Sequence, residues 1–309
     1  MAISIICTNK DPQPFVLAIR AIAPELNVRV WPDDGDKSDI TMVLCWQHPV
    51  GVLSDYPNLR LICSLGAGVD HLFADTHLPQ EIPVVRLVDD SLATQMREYV
   101  LGVITSRVRQ FDLLAEQQRA DRWQQIAAKS FSAVKVGVMG LGELGSSVAA
   151  YLAQVGFEVA GWSRSEKSIA GIECYAGAEQ LANFLSHAEV LVNLLPLTPK
   201  TTDILNADLF AQLPKDAYVI NVGRGGHLVD DDLIAAIDCG QLSGACLDVF
   251  RQEPLDKSHR FWSHPLIKVT PHCSSLTAPA SVAGQIVENY HCCLAGKKLL
   301  NLVDVDRGY

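Results

Sequence analysis

The sequence predicts an α/β protein with two parallel sheets, and three observations lead to this prediction. Short apolar runs alternate with stretches of helical periodicity along the whole chain. A long helical pattern over about residues 91–118 separates an earlier series of runs from a later one. A glycine-rich turn connects the opening strand of the later series to a helix. Because strands that alternate with helices form parallel sheets covered on both faces, each series predicts one such sheet.

The earlier series supplies five candidate strands, which are rich in valine, isoleucine and leucine. In chain order they are ISIIC, VRVW, ITMVLCW, LRLICSL and IPVVRLV. Runs of this kind are typical of strands that are buried on both faces of a parallel sheet. The first part of the chain therefore predicts a sheet of its own.

The later series supplies six candidate strands and begins after the long helical pattern. In chain order they are VKVGVMG, FEVAGWS, VLVNLLP, AYVINVG, GACLDVF and IKVTPH. A last helical pattern, APASVAGQIVENYHCCLAG, either covers this second sheet or returns to the first one. A return would make the chain cross between two domains twice and leave a cleft that can close around a ligand.

Composition argues against several classes of protein. The chain has 309 residues, enough for about two domains, and its formal net charge of −10 argues against non-specific binding to nucleic acid or an anionic membrane. The nine cysteines include no C-x-x-C pair, so they fit reduced thiols better than disulfides or a metal site. Neither a signal sequence nor a membrane-spanning segment is recognisable. We therefore expect a cytoplasmic protein whose partners are small molecules.

The turn VMGLGELG has the spacing G-x-G-x-x-G, with its glycines at Gly140, Gly142 and Gly145. The pattern alone is weak evidence, but here a valine-rich strand precedes it, and an alanine- and leucine-rich helical pattern that ends at Gly156 follows it. In such a unit the first glycine makes the tight turn, the second lets a pyrophosphate approach the backbone, and the third allows close helix packing. The N–H groups and positive dipole end of the helix then bind the phosphates. The sequence therefore predicts a dinucleotide site.

The segment GWSRSEKS, at the end of the next strand, predicts which dinucleotide binds. In NAD-binding units an Asp or Glu in this region holds the ribose 2′-hydroxyl. Here Ser163, Arg164 and Ser165 stand in its place, and a guanidinium can bind a 2′-phosphate bidentately while hydroxyls donate to it. We therefore expect NADPH to be preferred, with NADH as the alternative cofactor. The other interpretation is that Arg164 is a solvated surface residue and that Glu166 holds the ribose.

Six polar residues, a proline and a glycine follow four of the later strands at their carboxyl ends, where open α/β sheets bind ligands. They are Pro196, Thr198, Thr201, Gly223, Arg224, Asp248, Glu253 and His272. The carboxyl ends of parallel strands share one edge of a sheet, and the glycine turn lies at the same edge. The sequence therefore places an arginine, two acids and a histidine beside the predicted dinucleotide site.

Three of these residues fit hydride transfer to the carbonyl carbon of a 2-keto acid. The transfer leaves negative charge on the carbonyl oxygen, so a proton must arrive there, and His272 can supply it as a general acid. Glu253 would orient His272 and favour its cationic form, while Arg224 would bind the carboxylate and carbonyl of the substrate. The structural alternatives are an ion pair of Arg224 with Asp230 or Asp231, and a turn-forming role for Glu253.

Glycines mark two further places for ligand binding. Around Arg224 the segment VGRGG indicates a backbone kept bare for a ligand. In the first domain the strand LRLICSL leads into GAGVDHL, in which Gly66, Ala67 and Gly68 could present consecutive N–H groups to a carboxylate. A plain glycine turn is the alternative at the second place.

Five motifs together carry a resemblance to a known family over nearly the whole chain. They are GVMGLGELG, GWSRS, LLPLTPKTTDIL, NVGRGGHLVDDDLIAAIDCGQLSGACLDVFRQEPL and VTPH. In their order and spacing they resemble the D-2-hydroxyacid dehydrogenase family, and most closely its glyoxylate/hydroxypyruvate reductase branch. The resemblance implies that Arg224, Glu253 and His272 are the catalytic residues, in agreement with the roles argued from their chemistry.

The same resemblance implies further contacts with the cofactor and the substrate. Leu144 and Gly145 would bind the pyrophosphate, Asp248 would contact the nicotinamide amide, and Pro196 and Thr201 would lie on the adenosine and phosphate side. The expected cofactor-binding set is Gly140, Gly142, Leu144, Gly145, Ser163, Arg164, Ser165, Pro196, Thr201, Val222, Gly223 and Asp248. The expected substrate-binding set is Trp46, which matches a pocket aromatic, the carboxylate loop Leu65, Gly66, Ala67 and Gly68, and Arg224.

The resemblance also implies an architecture and a partner. It implies two Rossmann-like parallel-sheet domains with a cleft between them. The flavodoxin-like substrate domain would cover 1–97 plus 277–309, and the NAD(P)-binding Rossmann domain would cover 98–276. It further implies a homodimer in which the helix before the glycine motif packs against its mate and Trp123 approaches the partner's active site.

The expected activity is the NADPH-dependent reduction of glyoxylate and hydroxypyruvate to glycolate and D-glycerate. Two alternatives stay open at this point. One is a dehydrogenase for another 2-hydroxy acid, such as D-lactate, and the other is a cofactor-sensing corepressor of the same fold. The substrate-contacting residues within about 110–133 are not assigned from the sequence.

Overall fold

The computed structural model describes residues 1–304, and the chain divides into two compact units. One comprises Met1–Leu92 together with the described residues from Thr277 onward, and the other comprises Ala93–Leu276. Each unit is built on one parallel sheet, so the predicted α/β class with two parallel sheets is confirmed. The domain limits drawn from the sequence, 1–97 plus 277–309 and 98–276, stay a prediction.

Strands and helices alternate along most of the described chain. The strands are β1 (Ala2–Cys7), β2 (Val28–Val30), β3 (Ile40–Trp46), β4 (Leu61–Ser64), β5 (Val84–Val85), β6 (Lys135–Met139), β7 (Glu158–Ser163), β8 (Glu173–Ala176), β9 (Val190–Asn193), β10 (Ala217–Asn221), β11 (Leu242–Leu247) and β12 (Ile267–Val269). The helices are α1 (Gln13–Ile22), α2 (Asp70–Phe73), α3 (Asp90–Val108), α4 (Phe111–Arg119), α5 (Glu143–Val155), α6 (Leu181–His187), α7 (Ala207–Phe210), α8 (Asp230–Asp238) and α9 (Pro279–Leu294). None of the helices in residues 1–304 combines the length and apolar character needed to cross a membrane.

The sheet of the first unit has the strand order β2-β1-β3-β4-β5, and all its pairs are parallel. Its strands are buried almost throughout, as their continuous apolar runs predict. On one face, Val282 and Ile286 of α9 join the same apolar core as Phe15 and Ile19 of α1. The last helix of the chain therefore returns to the first sheet, which decides between the two alternatives left open by the sequence.

The sheet of the second unit has the strand order β12-β11-β10-β9-β6-β7-β8, again with parallel pairs throughout. The strand order reverses between β6 and β9, because the chain leaves β6 toward β7 on one side and returns to β9 on the other. Ligands of open α/β sheets bind at such a switch point, outside the carboxyl ends of the strands. The glycine turn follows β6 and therefore lies at this point.

The structure differs from the sequence prediction at one predicted helix and at one strand that was not predicted. The single long helix expected over about residues 91–118 is divided into α3 and α4, because Gln110 adopts the left-handed conformation with φ +55° and a right-handed helix cannot continue through it. Strand β8 was not predicted from the sequence. It is a half-exposed edge strand that begins with Glu173, so it lacks the apolar run by which the other strands were recognised.

Candidate active site

The three glycines after β6 each have a different structural reason. Gly140 has φ +97°, a conformation that favours glycine, and its N–H donates to the Trp162 carbonyl at 2.8 Å. A Cβ atom on Gly145 would lie 1.7 Å from the Gly140 carbonyl oxygen, so helix α5 packs against the turn with no space for a side chain. A Cβ atom on Gly142 would meet nothing within 4 Å. The space beside Gly142 is thus open.

The start of α5 is suited to an anion. Gly142 is the N-cap residue and offers no side-chain hydrogen bond to the first turn, whose N–H groups have no carbonyl partner inside the helix. Leu144 is half-buried and packs on the core, so only its backbone is available to a phosphate. A pyrophosphate fits here because the open space at Gly142 adjoins a helix N-terminus with its positive dipole end.

The segment after β7 holds the residues expected at the ribose. Ser163 is buried, and its hydroxyl donates to the Ser165 carbonyl at 2.7 Å, so its proton is used within the loop. Arg164 and Ser165 are exposed. They are the two side chains of the expected set that can donate to a 2′-phosphate.

The segment after β9 is held together by its own hydroxyls. Thr201 Oγ1 donates to the Pro196 carbonyl at 2.7 Å and accepts from the Thr198 N–H at 2.8 Å. These bonds shape a compact loop at the carboxyl end of β9. The loop lies next to the glycine turn in the sheet order, since β9 pairs with β6.

The segment after β10 contains Arg224, and the glycines around it pack against protein atoms. A Cβ atom on Gly225 would lie 1.8 Å from the Phe250 carbonyl carbon, and one on Gly226 would lie 3.0 Å from Leu197. The interpretation of VGRGG as a backbone kept bare for a ligand is therefore corrected, because these glycines allow close packing. The contact at Phe250 brings the Arg224 segment directly against the segment that leads to Glu253.

Val222 and Gly223, which precede Arg224, also face protein. The Val222 side chain is buried in the core of the unit, and its N–H donates to the Asn193 carbonyl at 3.2 Å. A Cβ atom on Gly223 would lie 3.0 Å from the Asn193 amide nitrogen. Any contact of these two residues with a cofactor would therefore be made by their backbone. Asp230 and Asp231, the alternative ion-pair partners of Arg224, contact other residues, since Asp230 pairs with His259 and Asp231 with Arg260.

His272 and Glu253 form a direct pair. The distance between His272 Nδ1 and Glu253 Oε2 is 2.8 Å, and the two side chains are 29% and 18% exposed. Glu253 Oε1 accepts from the Phe250 N–H at 3.0 Å. Burial raises the pKa of Glu253, but the hydrogen bond and charge of His272, the Phe250 N–H and the charge of Arg224 together bring this pKa below its usual range. The pair therefore joins a charged carboxylate to Nδ1 of the imidazole ring.

Asp248 supports the backbone beneath this pair. Its carboxylate is fully buried and accepts from the Thr270 hydroxyl at 2.6 Å and from the Cys273 and Ser274 N–H groups at 2.9 Å each. His272 lies inside this segment and adopts the left-handed conformation with φ +50°, which is unfavourable for a residue with a side chain. Asp248 thus holds a strained turn in place, and its expected contact with the nicotinamide amide stays a prediction.

In the first unit, the loop after β4 is organised by Ser64. Its hydroxyl donates to the Gly68 carbonyl at 2.7 Å and accepts from the Gly66 N–H at 3.3 Å. The Leu65 N–H donates to the Cys45 carbonyl at 2.9 Å, and the Leu65 side chain is buried. The N–H groups of Leu65 and Gly66 are therefore used within the protein. Of the three N–H groups expected to bind a carboxylate over residues 66–68, the candidates that remain are those of Ala67 and Gly68.

Trp46, at the end of β3, lies against this loop. A Cβ atom on Gly66 would lie 2.6 Å from the Trp46 ring, so glycine is required where the loop passes the indole. The Lys10 ammonium lies 3.8 Å from the centroid of the same ring, which is a cation–π distance. The indole is thus held in one position beside the loop.

Three fully buried polar residues of the second unit were not identified from the sequence. Asn193 and Asn221 end strands β9 and β10, and His227 closes the short 3₁₀ turn after Arg224. A polar residue that ends an apolar strand was a usable signal for the two asparagines. Nothing in the local sequence marks His227 as buried.

Residues 101–274 match the profile of the NAD-binding domain of D-isomer specific 2-hydroxyacid dehydrogenases. The chain belongs to this family of NAD(P)-dependent oxidoreductases, and the resemblance seen in the motifs is confirmed. A relative from Yersinia enterocolitica, named glyoxylate/hydroxypyruvate reductase A, is 40% identical over 304 residues, which are 97% of this chain and 97% of the relative. A relative of the same name from Serratia proteamaculans is 41% identical over 291 residues, which are 93% of each chain.

Solved structures show the same similarity over the whole chain. A D-isomer specific 2-hydroxyacid dehydrogenase from Xanthobacter autotrophicus Py2, in complex with NADPH and MES, has a TM-score of 0.94 and 39% identity, and covers 100% of this chain and 99% of its own. The NADPH-dependent glyoxylate/hydroxypyruvate reductase of Sinorhizobium meliloti, in complex with NADP and sulfate, has a TM-score of 0.93 and 34% identity, and covers 100% of both chains. Both of these similar proteins were crystallised with a 2′-phosphorylated dinucleotide.

Proposed function

We propose that the protein is an NADPH-dependent reductase that converts glyoxylate and hydroxypyruvate to glycolate and D-glycerate. The observation that carries this proposal is the 2.8 Å pair of His272 and Glu253 at the edge of an NAD-binding domain. The charge of Arg224 acts on Glu253, so a cation suited to a keto acid lies near the pair. Relatives about 40% identical over nearly the whole chain are named glyoxylate/hydroxypyruvate reductase A.

In this proposal each residue of the trio has one task. The dihydronicotinamide, when bound, supplies the hydride for the carbonyl carbon. His272 donates its Nε2 proton to the carbonyl oxygen, on which negative charge develops. Glu253 stabilises the imidazolium through Nδ1 and fixes the orientation of the ring. Arg224 binds the carboxylate and carbonyl oxygens and so sets the face of the keto acid that is reduced.

The loop after β4 is proposed to bind the substrate carboxylate. Ala67 and Gly68 would supply two consecutive N–H groups, which suit one carboxylate. Trp46 is held beside the loop by Gly66 and by the Lys10 ammonium, and we propose that its indole limits the substrate to small keto acids.

We propose NADPH as the preferred cofactor because the segment after β7 carries a cation in place of an acid. Arg164 is exposed and can bind a 2′-phosphate bidentately, and the Ser165 hydroxyl can donate to the same group. A carboxylate in this position would repel that phosphate and would favour NADH instead.

We also propose a homodimer in the cytoplasm. Trp123 is 98% exposed, and the nearby helix α4 exposes Phe111, Leu113 and Leu114. Apolar side chains grouped in this way mark a surface that binds another protein, and a second copy of the chain would cover it as the family resemblance implies. All nine cysteines are free thiols, which is typical of a reducing compartment.

The proposal is tested by the oxidation of NADPH and NADH in the presence of single keto acids. Purified protein is mixed with glyoxylate, hydroxypyruvate, pyruvate or 2-oxoisocaproate, and the loss of the reduced nicotinamide absorbance is followed. We expect fast oxidation of NADPH with the first two acids. Faster turnover of pyruvate would assign the protein to D-lactate instead, and absence of turnover with all four acids would contradict a reductase function.

A further inference from the structure

Behind Arg224 lies a cluster of three fully buried polar side chains, Asn193, Asn221 and His227. The asparagines end the neighbouring strands β9 and β10, and His227 follows Arg224 by three residues. Burial of polar side chains costs free energy unless hydrogen bonds satisfy them. Every one of these side chains is hydrogen-bonded, and the partners determine which atoms carry hydrogens.

The two asparagine amides are oriented by the backbone of Arg224. Asn221 Nδ2 donates to the Arg224 carbonyl at 3.1 Å, so Asn221 Oδ1 is the acceptor on the other side of the amide. That oxygen accepts from Asn193 Nδ2 at 2.9 Å. The same Asn193 nitrogen lies 2.9 Å from Nδ1 of His227 and can act only as a donor to it.

The bonds around His227 allow one protonation state. Nδ1 faces two donors, the Asn193 amide at 2.9 Å and the Arg224 backbone N–H at 3.2 Å, so it carries no hydrogen. Nε2 lies 3.2 Å from the Pro196 carbonyl oxygen, which can only accept, so Nε2 carries the hydrogen. A second proton would place Nδ1–H against two other donors. His227 is therefore a neutral imidazole in the Nε2–H form.

This network holds both backbone groups of Arg224. Its N–H donates to His227 and its carbonyl accepts from Asn221, so the direction in which the guanidinium leaves the chain is set from both sides. The Pro196 carbonyl, which also accepts from Thr201 at 2.7 Å, is held by the other ring nitrogen. His227 thus connects the segment proposed to bind the substrate with the one proposed to bind the cofactor.

We propose that His227 is a positioning residue with two separable tasks. Its Nδ1 sets the Arg224 segment for the keto acid, and its Nε2–H sets the Pro196 segment for NADPH. The inference rests on the proposed function, because it takes Arg224 as the residue that binds the substrate. It adds a histidine that touches neither ligand but acts through its two backbone partners.

Two substitutions separate the tasks, because each one retains a hydrogen-bonding group in the place of only one ring nitrogen. In His227→Asn the amide oxygen can occupy the place of Nδ1 and accept from the Arg224 N–H, but nothing reaches Pro196. In His227→Gln the longer amide can donate to the Pro196 carbonyl, but no acceptor stands where Nδ1 was. The loss of one bond to a buried partner is expected to change the affected constant about tenfold.

The measurements are the KM for glyoxylate and the Kd for NADPH, the latter from a fluorescence titration without substrate. For His227→Asn we expect a KM within about twofold of the wild type and a Kd raised about tenfold. For His227→Gln we expect a KM raised about tenfold and a Kd within about twofold of the wild type. Equal effects of both substitutions on both constants, or no effect of either, would show that His227 only fills space and would overturn the proposal.

His264 provides the matched control. It also accepts a backbone N–H, from Leu266 to Nδ1 at 3.2 Å, and its Nε2 lies 3.3 Å from Asp238, but it precedes strand β12 at the opposite end from the site. We expect His264→Asn to leave the KM and the Kd unchanged. Thermal unfolding of all three variants shows whether any loss reflects global instability.

A spectroscopic measurement tests the assigned protonation state without turnover. In protein labelled with ¹⁵N-histidine, the signal that disappears in His227→Asn belongs to His227. We expect this signal to report the neutral Nε2–H form, and an imidazolium or an Nδ1–H form would overturn the assignment. If the wild type reduced no keto acid, the proposed function would fail, while the NADPH titrations and this spectrum would still decide the role of His227.

Discussion

His272 and Glu253 form their pair because neighbouring groups hold both of them in place. His272 lies in a strained left-handed turn that the buried Asp248 carboxylate supports through the two following N–H groups. Glu253 has a lowered pKa and is charged at neutral pH. In the proposed mechanism this carboxylate orients the His272 ring through Nδ1.

The clearest test of the acid role is His272→Asn. Asparagine removes the proton donor, so we expect kcat for glyoxylate to fall by about 10²- to 10⁴-fold. The Kd for NADPH should change by less than about twofold, because the proposed pyrophosphate site follows β6 whereas His272 follows β12. Steady-state kinetics and a fluorescence titration measure the two constants. A parallel loss of NADPH binding would contradict the acid role and indicate a structural one.

The lowered pKa of Glu253 predicts a pH-dependent contribution to stability. A carboxyl whose pKa is lower in the folded state stabilises the fold above its unfolded value, near 4.5, and the contribution is lost as the pH falls through the folded value. We expect Glu253→Gln to reduce the free energy of unfolding by about 1–2 kcal/mol at neutral pH and by much less near pH 3. Urea unfolding at a series of pH values measures this difference. A difference that stays constant with pH would show that the charge of Glu253 contributes nothing.

The choice of cofactor is tested by Arg164→Asp. The substitution replaces a cation that can bind the 2′-phosphate with an acid that can accept from a ribose hydroxyl. We expect kcat/KM for NADPH to fall by about 10- to 100-fold relative to that for NADH. Lys167→Asp is the control, since it makes the same charge change three residues away. If both variants showed the same ratio of kcat/KM for NADPH to kcat/KM for NADH, the preference for NADPH would come from the general charge of the loop.

At the scale of elements, the unit β6–turn–α5 shows how one motif combines separate requirements. Gly140 is needed for its backbone conformation, Gly145 for the approach of helix to turn, and Gly142 for the space it leaves open. The spacing of the glycines was readable from the sequence. Their three distinct reasons became visible only when the atoms around each position were known.

Gly142→Ala and Gly145→Ala should therefore affect different properties: the first the binding of NADPH, the second the stability of the fold. A methyl group on Gly142 meets no protein atom within 4 Å and φ is −78°, so we expect stability within about 1 kcal/mol of the wild type but NADPH binding weakened at least about tenfold. A methyl group on Gly145 would lie 1.7 Å from the Gly140 carbonyl oxygen, and we expect a loss of about 1–3 kcal/mol. Thermal unfolding and NADPH titration separate the two. Normal NADPH binding by Gly142→Ala would contradict the pyrophosphate site.

Element boundaries were the weakest part of the sequence prediction. The break between α3 and α4 depends on the left-handed backbone of Gln110. Glutamine is not a residue type from which this conformation is predicted. Strand β8 depends on pairing with β7 and has little apolar signal of its own. In both places the surroundings outweigh local preference.

At the scale of the whole molecule, the exposed residues Phe111, Leu113, Leu114 and Trp123 predict self-association. A charge placed among them would oppose the burial of this surface, so we expect Phe111→Asp to be a monomer where the wild type is a dimer. Light scattering after size-exclusion chromatography measures the mass. Leu17→Asp, at a residue of α1 that is 67% exposed, is the control and should leave the mass unchanged. A wild-type monomer would refute the dimer.

The sequence by itself determined the α/β class, the dinucleotide turn and the types of residue at the strand ends. These are local properties, because periodicity, glycine spacing and the residue after each apolar run are written along the chain. The tertiary structure alone decided that His272 meets Glu253 across 19 residues, that the last helix returns to the first sheet, and that His227 is buried against Arg224 and Pro196. Hydrogen-bond partners and close packing come from segments far apart in the chain, so only the folded arrangement specifies them.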